Sequence, residues 1–176
     1  MSDAYTPTSR TRVIREPQRA IYDRAAAYAI LDEAFICHIG FTLDGQPYVI
    51  PTSFGRNGDG FTISGKNGRV QFGGVARDIP SWVPSYPGSK PQFAVQAQGF
   101  SGDGGEFNFE TPDHPSDVLD FYERTCRGQG MSVHQVSGHS NGGTLVIRDE
   151  SQRHTLNVVA SRRMGGAEVM VTYSTR

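Results

Sequence analysis

The sequence predicts an α+β protein built on antiparallel sheet. Three observations predict it. Glycine and proline are abundant, 21 and 10 among 176 residues, which favours turns and short strands over a helical bundle. Two stretches, 17–34 and 113–127, carry a helix-compatible pattern. The other apolar runs are short and are punctuated by turn formers such as Asp44-Gly45 and Asn57-Gly58-Asp59-Gly60, the signature of hairpins. Apolar residues make up 36%, enough for a core in one ordinary domain or in two small ones.

Residues 1–15 are polar and turn-rich and read as a flexible N-terminal arm, with Val13-Ile14 able to add at a strand edge. Pro17 suits a first helical turn, where its missing N–H would be unpaired anyway. Ala20, Ala27 and Leu31 mark a rough apolar face, and the alanine-rich centre of 17–34 has high helix propensity. Asp32-Glu33 fall in the last turn, where acidic groups oppose the helix dipole, so another group is expected to fix them. Residues 35–43 read as a strand, Asp44-Gly45 as a turn with positive φ at both residues, and Tyr48–Phe54 as the return strand. Pro51 within it implies an edge or a bulge. A third strand starts over Phe61–Ser64.

Composition then shifts. Gly65–Gly74 holds four glycines and Pro80–Pro91 four prolines, so this region cannot be helical. It reads as a linker or strap, anchored where Trp82 and Tyr86 lie down on a neighbouring surface. Beyond it, Phe93–Phe100 and Glu106–Thr111 read as strands around a Gly-rich turn at 102–105. A helix follows over 113–127, capped by Asp113 or Thr111, with Pro115 in its first turn. Val118, Tyr122 and Cys126, flanked by Leu119, Phe121 and Thr125, form its buried stripe, and Gly128 and Gly130 stop it. Strands follow over Met131–Val136, Thr144–Arg148, His154–Ser161 and Ala167–Tyr173, with Val169, Val171 and Tyr173 on one face. The organisation is therefore a 1–15 arm, a helix and β-meander over 16–70, a Gly/Pro-rich linker over 71–91, and a ββαββββ unit over 92–176, one helix on an antiparallel sheet.

A net charge of −1 lacks the basic surplus a phosphate-backbone binder needs; the Arg162-Arg163 pair reads as solvated surface. No nucleic-acid partner is expected. The longest apolar run, Ala25–Leu31, is far short of the about 20 residues of a spanning helix, so no membrane partner is expected either. Cys37 and Cys126 form no CxxC; Cys37 reads as a buried thiol, and the pattern fits a reducing cytoplasm. His114, His134, His139 and His154 show no ligand spacing, and no metal is expected. Neither Gly138-His-Ser140 nor Gly99-Phe-Ser101-Gly102 supplies a nucleophile elbow, and no P-loop or Rossmann fingerprint occurs. His38, on an apolar strand, reads as a core or hydrogen-bonded histidine. Asp23, Asp32, Glu33 and Asp44 are explained by helix and turn chemistry.

One set of residues names a ligand. Arg19-x-x-Tyr22-Asp23-Arg24, Ile30-Leu31-Asp32, Cys37-His38-Ile39-Gly40-Phe41 and Asp44-Gly45-Gln46-Pro47-Tyr48-Val49-Ile50-Pro51-Thr52 together resemble the start of the flavin-nucleotide-binding split barrels of the pyridoxamine 5'-phosphate oxidase-like family. The resemblance spans about residues 12–70 and implies a partial split-barrel-like N-terminal unit, a homodimer, and flavin mononucleotide (FMN) bound between subunits. It places the ring-side contacts on Ile50, Pro51, Thr52 and Ser53, and the phosphate contacts on Ser64, Lys66 and Arg69. Two cations and glycine N–H groups can cradle a phosphate dianion. The loop departs from the family in reading Ser64-Gly65-Lys66 and Gly68-Arg69 rather than a His-Gly-Ser start and a Ser-Arg end, and the family's later strands are missing.

The second part, 78–176, is similar to an uncharacterised class of small bacterial α+β domains through Trp82-Val-Pro-Ser-Tyr86-Pro-Gly88, Asp120-Phe121-Tyr122 and Val169-Met-Val-Thr172-Tyr173. Two functions stay open. One is an FMN-binding, oxidoreductase-like dimer in which the flavin does the redox chemistry and no catalytic side chain is named. The other is a non-catalytic interaction module whose strand edges and Trp82 or Tyr86 serve a protein partner.

Overall fold

The structure is a computed structural model that describes residues 4–76, 78–99, 102–139 and 141–176. It is a mostly antiparallel, sheet-rich α+β fold with two α-helices among the described residues. The chain divides into two compact units, Met1–Arg56 and Asn57–Arg176. The division falls ahead of the 71–91 segment that composition marks as a linker.

In the first unit the expected helix over 17–34 is broken. Pro17–Arg19 makes one 3-10 turn, Ala20 is extended, and α1 runs only over Arg24–Glu33. Asp23 is the reason: it sits in extended geometry as N-cap, and its Oδ1 accepts from the Ala26 N–H at 2.8 Å. An Asp cap satisfies an otherwise orphaned donor, which outweighs the weak propensity of Ile21 and Tyr22. The residues before the helix are tied to this break. Tyr5 N–H donates to the Tyr22 carbonyl at 2.8 Å, and Val13 N–H to Tyr22 Oη at 2.9 Å.

Strands β1 (Ile36–Leu43) and β2 (Gln46–Asn57) form the predicted hairpin. Asp44 and Gly45 have φ of 50° and 78°, the positive pair that a two-residue turn requires. Pro51 stands opposite His38 in an unbroken register, so this pairing needs no bulge. Asp32, misplaced for the helix dipole, is held by Arg56 on β2 through Nε–Oδ1 at 2.7 Å and Nη2–Oδ2 at 2.6 Å. None of the described residues of this unit is buried.

The second unit contains β3 (Gly60–Gly65), β4 (Gly68–Phe72), β5 (Gln92–Gly99), β6 (Asp103–Thr111), α2 (Pro115–Gly128), β7 (Ser132–His139), β8 (Gly142–Arg148), β9 (His154–Arg163) and β10 (Gly166–Thr175). Its strands lie in the order β3-β4-β5-β6-β10-β9-β8-β7, all antiparallel. The predicted ββαββββ run is present as β5 to β10. Strand β4 was missed because glycines bracket it. The expected turn at 102–105 lies mostly inside β6: Gly104 and Gly105 pair with β10, and a Cβ on Gly105 would sit 2.7 Å from Tyr173 Oη. Those glycines let the Tyr173 ring close on the strand.

Helix α2 packs on β7 to β10. Val118, Leu119, Tyr122 and Cys126 meet Leu145, Ile147, Leu156, Val158, Val169 and Val171 in the core. The helix cap is neither Asp113 nor Thr111. His114 takes that place, its Nδ1 accepting from the Ser116 N–H, because Asp113 is engaged by Tyr86 and Thr111. Gly130, at φ 79°, ends the helix, with Met131 N–H on the Cys126 carbonyl at 2.9 Å. The proline-rich strap is part of this core. Val83 and Tyr86 are buried, Tyr86 stacks on Phe109 at 5.5 Å and meets Phe121 edge-on at 5.0 Å, and Trp82 lies against His154 at 4.6 Å.

Candidate functional site

The ring-side segment occupies the middle of β2. Ile50 faces Ile39, Pro51 His38, Thr52 Cys37 and Ser53 Ile36 across the hairpin. Strand alternation puts Ile50 and Thr52 on one face with Cys37, Ile39 and Phe41, and Pro51 and Ser53 on the other. The first face is apolar and open: Phe41, Leu43, Tyr48 and Ile50 are all exposed, and Phe41 stacks on Tyr48 at 5.4 Å. Cys37 is half-buried rather than buried. His38 is exposed, not a core histidine, because alternation turns it to the face opposite Cys37 and Ile39.

The phosphate-side residues lie on one hairpin of the second unit. Gly65 pairs with Gly68, which leaves Lys66-Asn67 as a two-residue turn. Ser64 is the direct cross-strand partner of Arg69, so hydroxyl and guanidinium share a face, one strand spacing apart. Ser64, Lys66 and Arg69 are all exposed. Arg69 already has partners. Its Nη2 donates to Gln98 Oε1 at 3.0 Å and lies 3.8 Å from Asp78 Oδ2. The donor set of hydroxyl, ammonium, guanidinium and amide suits a phosphate, with the Asp78 carboxylate opposed to it. Gln98 and Asp78 escaped the sequence reading. Gln96 and Gln98 recur at i, i+2 on one face of β5, but nothing local in the sequence ties either to Arg69.

Other titratable groups serve structure. Tyr86 Oη donates to Asp113 Oδ2 at 2.6 Å; burial first, then this bond, pushes the phenol up to about 12. The same bond, helped by Thr111, lowers the Asp113 carboxyl. Burial raises the Cys126 thiol to about 11, which makes it an inert core group. Asp149 is lowered mainly by the Ser151 hydroxyl and the His154 N–H; its Oδ2 also meets His154 Nδ1 at 3.2 Å. Because Ser151 bonds the carboxylate and not the imidazole, these three residues form a turn rather than a nucleophilic triad. Tyr122 Oη is buried with no hydrogen-bond partner among the described residues. No group of three or more His, Cys, Asp or Glu side chains placed to hold a metal ion occurs among them. Ser101, Ser140 and the His139 side chain lie outside the described residues. No described helix is long and apolar enough to cross a membrane.

Comparison with known proteins finds no matching curated protein and no matching solved structure. A family model does match. It begins at the Asp23 cap and runs through α1, the β1–β2 hairpin, β3 and β4 to Asp78. Residues 23–78 thus match the family described as pyridoxamine 5'-phosphate oxidase, and this segment of the chain is similar to that family.

Proposed function

We propose that the protein binds FMN as a pyridoxamine 5'-phosphate oxidase-like, flavin-dependent oxidoreductase, and that it works as a cytoplasmic homodimer with a partial split barrel over residues 16–70. The observation that carries this reading is the family match over residues 23–78, which spans both candidate segments. When bound, the flavin supplies electron-pair transfer. The chain's own residues bind and orient it. Ile50, Pro51, Thr52 and Ser53 offer backbone polar groups and short side chains to a flat ring, while Ser64, Lys66 and Arg69 offer two positive charges and a hydroxyl to a phosphate. The dimer is supported by the first unit. Phe35, Ile36, Phe41, Leu43, Tyr48, Val49 and Ile50 are exposed, and a run of exposed apolar side chains of this kind marks an interaction surface.

The test is a titration of the purified protein with FMN, read by flavin fluorescence and absorbance. Saturable binding at micromolar FMN that is lost in Lys66→Ala/Arg69→Ala supports the reading. Absence of binding at about a hundredfold higher concentration refutes it. In that case the same exposed apolar hairpin favours a non-catalytic module that docks a protein partner through this face.

A further inference from the structure

The sheet around Arg69 is organised in cross-strand rows. Ser64, Arg69 and Gln98 form one row over β3, β4 and β5. Thr62, Gln71, Gln96 and Gly105 form the next row on the same face. Gln96 is 3% exposed. Its Nε2 donates to the Asp78 main-chain carbonyl at 2.9 Å and to Tyr173 Oη at 3.1 Å. A buried amide therefore pins the backbone at residue 78 above the sheet, and Gly105 leaves room for the tyrosine that completes the link.

From this fixed point the Asp78 side chain reaches back to Arg69. The 3.8 Å separation is within ion-pair range but longer than a hydrogen bond. Both side chains are substantially exposed, 61% and 44%. The same Nη2 donates to Gln98 Oε1 at 3.0 Å. Asp78 thus neutralises the cation without occupying its hydrogen-bonding edge. An incoming phosphate carries more charge than the carboxylate and accepts from Ser64 and Gln98 as well as from Arg69.

We infer that Asp78 is a built-in counter-ion of the Ser64–Arg69–Gln98 row, whose charge opposes an incoming phosphate monoester, and that it tunes the affinity of the row for phosphorylated against unphosphorylated ligands. The inference rests on the phosphate reading of Ser64 and Arg69. Its main-chain anchor makes it testable, since a side-chain substitution leaves the Gln96 bond to the residue 78 carbonyl in place.

The experiment titrates the full chain with three probes: inorganic phosphate followed by ³¹P NMR, and FMN and riboflavin followed by fluorescence. Wild type is compared with Asp78→Asn, Asp78→Glu and Arg69→Gln. Asp78→Asn is expected to tighten inorganic phosphate and FMN by about two- to five-fold, the range of an exposed ion pair, and to leave riboflavin unchanged. Asp78→Glu should behave as wild type, and Arg69→Gln should weaken both phosphate probes. Unchanged or weaker phosphate binding in Asp78→Asn overturns the inference, as does failure of both proteins to bind inorganic phosphate. The two readings fail separately. FMN binding that ignores Asp78→Asn sinks the counter-ion and spares the flavin. Phosphate binding that tightens while FMN does not bind spares the counter-ion and sinks the flavin.

Discussion

Tyr86 and Tyr122 stack at 6.3 Å in one core, yet removing their hydroxyls should move stability in opposite directions. Tyr122 is fully buried, and its hydroxyl has no partner among the described residues. Burial accordingly drives its phenol pKa upward. In the unfolded chain that hydroxyl is hydrated, so folding strands it, at a cost of about 1–3 kcal/mol. Tyr122→Phe keeps the ring, its contacts and nearly all of its volume. It should stabilise the second unit by about 1 kcal/mol, taking the low end because the vacated oxygen leaves a small void. The midpoint of thermal unfolding should rise by about 3–4 °C. Tyr86→Phe removes a bond to a carboxylate and should cost about 1.5–3 kcal/mol. The assay is urea unfolding followed by the emission of Trp82, the single tryptophan of the chain, which lies in the second unit against His154. An unchanged slope with a shifted midpoint would show a change in stability rather than in mechanism. A Tyr122→Phe protein that loses 1 kcal/mol or more would refute the reasoning, for it would mean that the hydroxyl is hydrogen-bonded in solution.

Three further perturbations test other parts of the fold. The folded-state pKa of Tyr86 is raised from 10.0 to about 12, so its contribution is complete below pH 10 and is lost as pH climbs through 12; Tyr86→Phe should flatten the alkaline limb of a stability–pH curve. Asp32 is lowered chiefly by its bond to Arg56, so its contribution is present above its ordinary value and lost as pH falls through the depressed one; an acid titration of the Arg56 Nε–H resonance should show the pair opening, and Asp32→Asn should show it open throughout. Gly60→Ala would set a Cβ 2.6 Å from the Gly73 carbonyl oxygen and 2.7 Å from that of Phe72. Both obstacles are backbone, so a loss of about 2–3 kcal/mol in urea unfolding is expected, and a neutral substitution would mean that β3 and β4 can separate there.

Much of the fold was legible because its signals are local. Asp44-Gly45 fixed a hairpin through the φ angles those residues tolerate. The 3.6-residue spacing of Val118, Tyr122 and Cys126, and the alternation of Val169, Val171 and Tyr173, each pointed one face at a core. One failure was itself local, a cap inside the expected helix; the others are places where a distant residue decided. Asp23 capped α1 and shortened it. Asp113 was withdrawn from the α2 cap by Tyr86, far away in sequence. Gly104 and Gly105 looked like a turn because the tyrosine that needs their bareness lies on the last strand. The candidate site divides in the same way. Ser64, Lys66 and Arg69 could be named as candidates from residue type and family likeness. Asp78 and Gln98 were not, because their relation to Arg69 exists only once three strands are in register.

The strap also has a kinetic consequence. Strands β4 and β5 are antiparallel neighbours, and such a pair can be joined by a two-residue turn. Here the chain stays bridged as far as Val75 and Gln92 and only then makes its detour, carrying Val83 and Tyr86 to surfaces on β6 and α2. Closing that detour costs chain entropy before its contacts exist. The docking of the strap therefore belongs on the native side of the folding barrier, after α2 and the β8-β9-β10 meander have met. Substitutions at Val83 or Tyr86 should accelerate unfolding and leave the folding rate nearly untouched. The segment that looks most like a spacer would then govern how long the second unit stays folded, and not how fast it forms.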